Sequence, residues 1–197
     1  FGKAVGRRGA HIATILGVIG EGRRTYIEIG TEEGTECNTR ALANAGWTGV
    51  MVDSHHENEL VRKAYITKDT VQSVLRELGA VEHPDVFSLD IDGNDFWVLA
   101  NLGPFMPRLL VCEYNNRFAA DEFVTIPYTE PFRWDGTCFY GASQRAMHWL
   151  AGRYGMALVY VEKTGTNMFF VERSLAHHFE HADQCRNQLL CHVHEVS

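Results

Sequence analysis

Residues 87–97, Phe-Ser-Leu-Asp-Ile-Asp-Gly-Asn-Asp-Phe-Trp, constrain the fold more than any other stretch: an apolar run breaks abruptly into Asp90, Asp92, Asn94 and Asp95. The run is nearly continuous rather than alternating, which suits a parallel strand covered on both faces. Three acids within six residues repel one another, and burying them is costly unless a cation, a metal or dense hydrogen bonding compensates. Ligands of open α/β sheets bind beyond the carboxyl ends of the strands, where this cluster falls. An Asx turn with Asn94 or Asp92 capping a following helix accounts for one acid, not for three.

The rest of the chain alternates in the same way. Strands are predicted at 24–29, 49–53, 85–91 and 108–113, and helices at 36–45, 68–78 with Thr67 as cap, 95–101 and 141–155. Residues 156–161 and 167–171 read as the arms of a terminal hairpin around Lys163-Thr164-Gly165-Thr166. The pattern predicts an α/β Rossmann-like fold, a doubly wound, mostly parallel sheet with a C-terminal antiparallel hairpin. At 197 residues one domain suffices, with 1–23 as an N-terminal helical extension and 174–197 as a His- and Cys-rich tail. The run 12–19 reads as a helix covering the domain's edge and is far shorter than the ~20 residues of a membrane span.

Charge and cysteine content narrow the function classes. A net charge of −7 with scattered arginines argues against nucleic-acid wrapping and for a small-molecule partner. Five cysteines without zinc-like pairing suggest free thiols in a reducing cytoplasm. Oligomeric state is left open, homo-oligomers included. His177, His181 and Cys185 share a helical face and could bind zinc, but a solvated tail is the commoner meaning of such a string. His148, within an apolar helical pattern, reads as a structural histidine.

The first strand ends in Glu28-Ile29-Gly30-Thr31-Glu32-Glu33-Gly34, a turn where glycines allow close backbone approach to a ligand. Glu32 and Glu33 at the helix mouth would repel a pyrophosphate, which disfavours an NAD-type oxidoreductase, but tolerate a cationic ligand such as S-adenosylmethionine. Asp53 ends the second strand 23 residues after Gly30, near the offset at which an acid meets ribose hydroxyls. Glu28, Gly30, Thr31, Gly34, Asp53, Ser54 and Asp90 form the expected cofactor set. Asp90, Asp92 and Glu113 would converge if their strands are neighbours, with Asn115 adding a neutral oxygen, and together with Asn94 they form the expected catalytic set. Such hard donors suit Mg²⁺ or another divalent cation, and Asp90, Asp92 and Glu113 are its candidate ligands. The long connection 114–140 supplies Tyr114, Tyr128, Arg133, Trp134 and Asp135 as candidate acceptor contacts, although it could equally be a packed lid.

Taken together, Glu28-x-Gly30-x-x-x-Gly34, Gly46-Trp47-x-Gly49-Val50 before Asp53, Ser88–Asp95, Glu113-Tyr114-Asn115, Pro127-Tyr128, Phe132–Thr137 and Gly141-Ala142-Ser143 resemble the FkbM-like branch of the class I S-adenosylmethionine-dependent methyltransferases. The resemblance covers about residues 24–173 and implies methyl transfer to a small polar acceptor such as a sugar or natural product, through oxygen. A catalytically silent S-adenosylmethionine-binding module acting through a protein partner is the alternative. One departure stands out: 13 residues separate Asp53 from Thr67, too few for a helix and a full third strand, so that strand is expected to be reduced to something like 64–66, or a segment to be absent.

Overall fold

The computed structural model describes residues 7–35, 37–162 and 166–180. Its elements run α1 (Arg7–Ile19), β1 (Thr25–Ile29), α2 (Arg40–Asn44), β2 (Thr48–Asp53), β3 (Val61–Lys63), α3 (Val71–Glu77), β4 (Val86–Leu89), α4 (Asp95–Leu99), β5 (Leu109–Glu113), α5 (Gln144–Arg153), β6 (Met156–Val161), β7 (Asn167–Glu172) and α6 (His177–Glu180). One seven-stranded sheet has the order β3-β2-β1-β4-β5-β7-β6. Strands β1 to β5 are parallel, and β7 joins β5 and β6 antiparallel. The chain leaves β1 in one direction and returns to its other side at β4, so a crevice opens beyond the carboxyl ends of these two strands.

Period-2 alternation divides the sheet side chains between two cores. Ile27, Ile29, Phe87, Leu89 and Leu110 face α3, α4 and α5, meeting Leu75, Val98, Met147 and Leu150. Tyr26, Val86, Leu109, Val111 and Phe169 face the other way, against Ile12, Ile15, Leu16 and Ile19 of α1. That spacing of i, i+3, i+4 and i+7 makes one apolar stripe, and full burial of each such side chain is worth about 1.5–3 kcal/mol. Helix α1 therefore covers a sheet face, not the edge expected from its sequence. Phe179 of α6 is buried in the same core, so the start of the tail expected at 174 packs onto the body. His181, Cys185 and the other residues of the expected zinc string after 180 lie outside the described residues.

Several elements differ from the sequence expectation for physical reasons. Helix α2 begins at Arg40 rather than near 36, because the carboxylate of Glu28 accepts the backbone N–H of Asn38 (2.7 Å) and Thr39 (2.8 Å) and holds them in a turn. The third strand lies at Val61–Lys63, before the expected 64–66, and is paired with Met51–Asp53 at the end of β2. A seven-residue connection, 54–60, suffices since the chain returns by only about two residues of strand, ~7 Å, before pairing. Helix α3 starts at Val71 with Thr70 at its N-cap, later than the expected 68, because residues 67–70 form a turn in which the Thr67 hydroxyl accepts the N–H of Thr70 (3.2 Å).

The long connection is tied to the body at several points. Trp97 Nε1 donates to Ile126 O (2.9 Å) and Asn94 Nδ2 to Thr129 O (2.8 Å). Ser143 caps α5 by accepting Ala146 N–H (3.2 Å) while donating to Glu122 O (2.8 Å). Among the described residues no helix is long and apolar enough to cross a membrane, and Cys37, Cys112 and Cys138 are free thiols.

Candidate functional site

The crevice is a cavity of about 1090 Å³ whose walls come from the ends of β1, β2, β4 and β5, from Glu162 and Thr166 between β6 and β7, and from the long connection. Gly30 forms its floor. With φ at +83°, Gly30 takes the left-handed conformation, and a Cβ there would fall on the carbonyl oxygen of Asp90. Its N–H donates to Val52 O (2.9 Å) and Asp90 N–H donates to Ile29 O (3.1 Å), locking the three strand ends together. Gly34 also has positive φ, +78°, but its missing Cβ makes room for Val61 of β3. Its N–H closes a turn onto Thr31 O (2.8 Å), and Thr31, almost fully buried, lines the cavity.

Asp53 is a satisfied carboxylate. Oδ1 accepts the N–H of His55 (2.8 Å) and His56 (2.9 Å) and lies 3.0 Å from His56 Nδ1, while Oδ2 accepts Glu32 N–H (2.9 Å). Burial pushes its pKa up, but the hydrogen bonds from His55, His56 and Glu32 outweigh burial and hold it below the ordinary value. A carboxylate has about four lone-pair sites, so Oδ2 keeps acceptor capacity toward the cavity. Ser54 sits beside it, its hydroxyl 2.6 Å from His55 Nδ1, and both histidines line the wall. They were missed in the sequence, although their position next to Asp53 was signal enough. Glu28 lines the cavity too, and its oxygens, engaged by Asn38 and Thr39, shape the turn that follows β1. Of the two acids at the turn, Glu32 reaches the cavity; Glu33 is exposed and its carbonyl accepts Asn58 Nδ2. Burial first, and then Glu28, push the thiol of Cys37 up to about 12, so it stays protonated on the cavity wall.

Across the crevice three further acids cluster, and one of them keeps a buried oxygen without a partner. Asp90, Asp92 and Glu113 each bring a carboxylate oxygen within 4.8 Å of the others, as the adjacency of β4 and β5 requires. Glu113 is buried, shares a hydrogen bond with Asp90, and its Oε2 has no partner among the described residues. Burial and then the charges of Asp90, Asp95 and Asp92 push it up to about 11. Asp92 occupies the left-handed region, with φ at +54°, an uncommon conformation for a residue other than glycine. The turn is fixed by Asp95, fully buried, whose oxygens accept the N–H of Ile91 and Gly93 (2.9 Å each) and whose carboxyl burial pushes up to about 6. Asn94 Oδ1 is a second buried acceptor without a hydrogen bond on this side. Three hard oxygen donors this close, one with an orphaned oxygen, have the chemistry that would suit Mg²⁺ or a similar cation.

Several expected contacts are employed elsewhere. Asn115 is fully buried, donates from Nδ2 to Cys138 O and Tyr140 O (2.9 Å each) and accepts Arg117 N–H at Oδ1 (2.9 Å), so it anchors the long connection and adds no oxygen to the acid cluster. Tyr114 belongs to the core below the site. Tyr128 donates its hydroxyl to Glu130, packs on Trp97 and lies outside the cavity lining. Asp135 accepts Thr137 N–H (3.0 Å) in an exposed turn, away from the cavity. Arg133 and Trp134 do line the cavity, and Phe132 packs against Gly93, where a Cβ would strike its ring.

No protein-family model matches the chain, and no curated protein matches it. Solved structures do. The N-terminal domain of EvdMO1, in the presence of SAH and D-fucose, superimposes with a TM-score of 0.52 at 10% identity, over 86% of this chain and 83% of that one. CalS10, an amino pentose methyltransferase from Micromonospora echinaspora involved in calicheamicin biosynthesis, bound to SAM, gives 0.51 at 12% identity over 87% and 92%. Such identities establish architecture alone: this chain has the Rossmann-like fold of class I methyltransferases.

Proposed function

We propose that this chain is an S-adenosylmethionine-dependent methyltransferase that methylates an oxygen of a small polar acceptor, such as a sugar or natural product. One observation carries the reading: a single cavity joins the Gly30 turn and Asp53 on one side to Asp90, Asp92 and Glu113 on the other. The first half matches the demands of a nucleoside, a glycine turn for close approach and an acid for ribose hydroxyls. Its acids suit the cationic groups of S-adenosylmethionine and oppose a pyrophosphate. The second half matches the demands of an acceptor, since a hydroxyl is a poor nucleophile at neutral pH without a base or a cation. A silent binding module has no need of space beside Asp90 and Asp92, whereas the cavity of about 1090 Å³ continues from the Gly30 turn as far as these two acids. The resemblance of 88–95 and 132–137 to the FkbM-like branch agrees, as do the sugar-related names of the two structural neighbours.

S-adenosylmethionine, when bound, supplies an electrophilic methyl group. Gly30, Thr31, Ser54 and Asp53 would hold it, the glycine by leaving its backbone accessible. Asp90, Asp92 and Glu113 would hold a divalent cation, whose charge favours an ionised acceptor. The chain's own contribution is placement: Asp95 fixes the Asp90–Gly93 turn, Asn94 and Arg133 offer polar contacts, and Phe132 and Trp134 restrict water. Incubation with radiolabelled S-adenosylmethionine and a panel of monosaccharides and aminosugars tests the reading. Label should enter an acceptor in wild-type protein and not in Asp92→Asn, and excess chelator should suppress transfer. Transfer that persists unchanged in Asp92→Asn would assign the chemistry elsewhere.

A further inference from the structure

The face of α5 turned away from the core carries Arg145, His148, Trp149, Gly152 and Arg153, spaced i, i+3, i+4, i+7 and i+8. The outward face of a surface helix ordinarily carries charged and polar residues. Here it is cationic and aromatic, and the opposite stripe, Ala146, Met147, Leu150 and Ala151, fills the core. With Arg173 from the turn after β7 it lines a surface groove of about 440 Å³ that shares no residue with the catalytic cavity. Gly152 deepens the groove, since a Cβ there would meet nothing within 4 Å.

Among the described residues the groove is unpaired in charge. Arg24, Arg76 and Arg108 each lie within 3.4 Å of a carboxylate, whereas Arg145, Arg153 and Arg173 have no acidic partner within 4.0 Å among the described residues. Arg145 and Arg173 are steadied by backbone carbonyls, those of Asp121 (2.7 Å) and Met156 (3.4 Å). The guanidinium of Arg153 lies 5.7 Å over the Trp149 ring, and Phe123 meets the same ring edge-on at 5.5 Å. Trp149 and Phe123 are 50% and 51% exposed, so half of each ring is free for a partner. Burial and the nearby Arg173 lower the pKa of His148, so this ring adds a neutral polar group at pH 7 and the three guanidiniums set the charge.

We propose that this groove docks an acidic segment of a partner protein, which places carboxylates on Arg145, Arg153 and Arg173 and an apolar side chain on Trp149 and Phe123. Tryptophan and arginine are the residues most enriched among interface anchors. An open groove leaves too much of a small anion in water, since small-molecule sites enclose most of their ligand. A nucleic acid is disfavoured by the net charge of −7 over the whole chain, which repels a long polyanion, whereas a short acidic segment sits within a Debye length, about 8–10 Å, of the arginines.

Fluorescence anisotropy of the full chain with a labelled acidic peptide of about fourteen residues, Glu and Asp flanking a central Phe, tests the proposal. Saturable binding is expected, weakened by salt and about tenfold by Arg145→Glu or Arg153→Glu, with Trp149→Ala acting likewise. These side chains are exposed, and unchanged circular dichroism together with unchanged S-adenosylhomocysteine affinity in the variants confirms that the fold is intact. Peptide affinity untouched by both charge reversals overturns the proposal. So does displacement of the peptide by equimolar inorganic pyrophosphate, by a short oligonucleotide or by phosphatidylserine vesicles, each of which assigns the groove to another anion.

Discussion

Asp53 and Glu113 end strands on the same edge of the same sheet, yet their surroundings are opposite. Asp53 accepts three backbone N–H groups and a histidine ring contact, which hold its pKa down. Glu113 faces Asp90, Asp92 and Asp95, keeps one buried oxygen without a partner, and is pushed up to about 11. A satisfied carboxylate organises loops and stabilises the fold. An unsatisfied one is retained at a cost to stability, and under the proposed function the contrast separates the half that would hold a cofactor from the half that would receive a cation or proton.

The largest effect is expected where the halves meet. Gly30→Val forces a Cβ onto the Asp90 carbonyl and a branched residue into the left-handed region, so both halves should be lost together. Gly34→Ala is the sharper control, because its Cβ meets no backbone, only the side chains of Val61 at 2.9 Å and Met51 at 3.8 Å. Circular dichroism should show Gly30→Val unfolded or strongly destabilised and Gly34→Ala folded with a lower melting temperature. Equal losses in the two would remove the special role of the Gly30–Asp90 approach.

Next comes turnover. Asp92→Asn should cut methyl transfer by about 10²–10⁴-fold while leaving cofactor affinity within twofold, the signature of a group acting on the acceptor side. A parallel loss of cofactor affinity would merge the halves that the structure separates.

That separation was legible in part. Continuous apolar strands followed by acids at 90–95 and 113 fixed the edge at which the carboxylates emerge, because parallel strands end on one side. What each polar residue does there was not legible, since it depends on tertiary partners: Asn115 was claimed by Cys138 and Tyr140, Glu28 by Asn38 and Thr39, Tyr114 by the core. The reduced third strand escaped the correct placement because a three-residue edge strand, Val-Arg-Lys, carries no periodicity.

Smaller effects of opposite sign should appear in stability. Asp53→Ala orphans the N–H groups of Glu32, His55 and His56 and should cost about 1–3 kcal/mol. Because the folded pKa of Asp53 is lowered, its contribution is present above the unfolded value and is lost as pH falls through the folded one. Glu113 is the reverse. Its folded pKa is raised from 4.5 to about 11, so its proton-linked stability is full below pH 4.5 and declines as pH rises through that window. In metal-free buffer at pH 8, Glu113→Gln should therefore raise the melting temperature, by about 2–4 °C per kcal/mol gained, and flatten its alkaline decline. A lower melting temperature at pH 8 would show that Glu113 is a stabilising structural acid.

Calorimetric titration of S-adenosylhomocysteine into wild type, Asp53→Ala and Glu113→Gln tests the central division of labour most directly. The account predicts one site in wild type, a loss of about 1–3 kcal/mol in Asp53→Ala, and little change in Glu113→Gln. Absence of binding in wild type, NAD binding in its place, or a loss in Glu113→Gln equal to that in Asp53→Ala would contradict it.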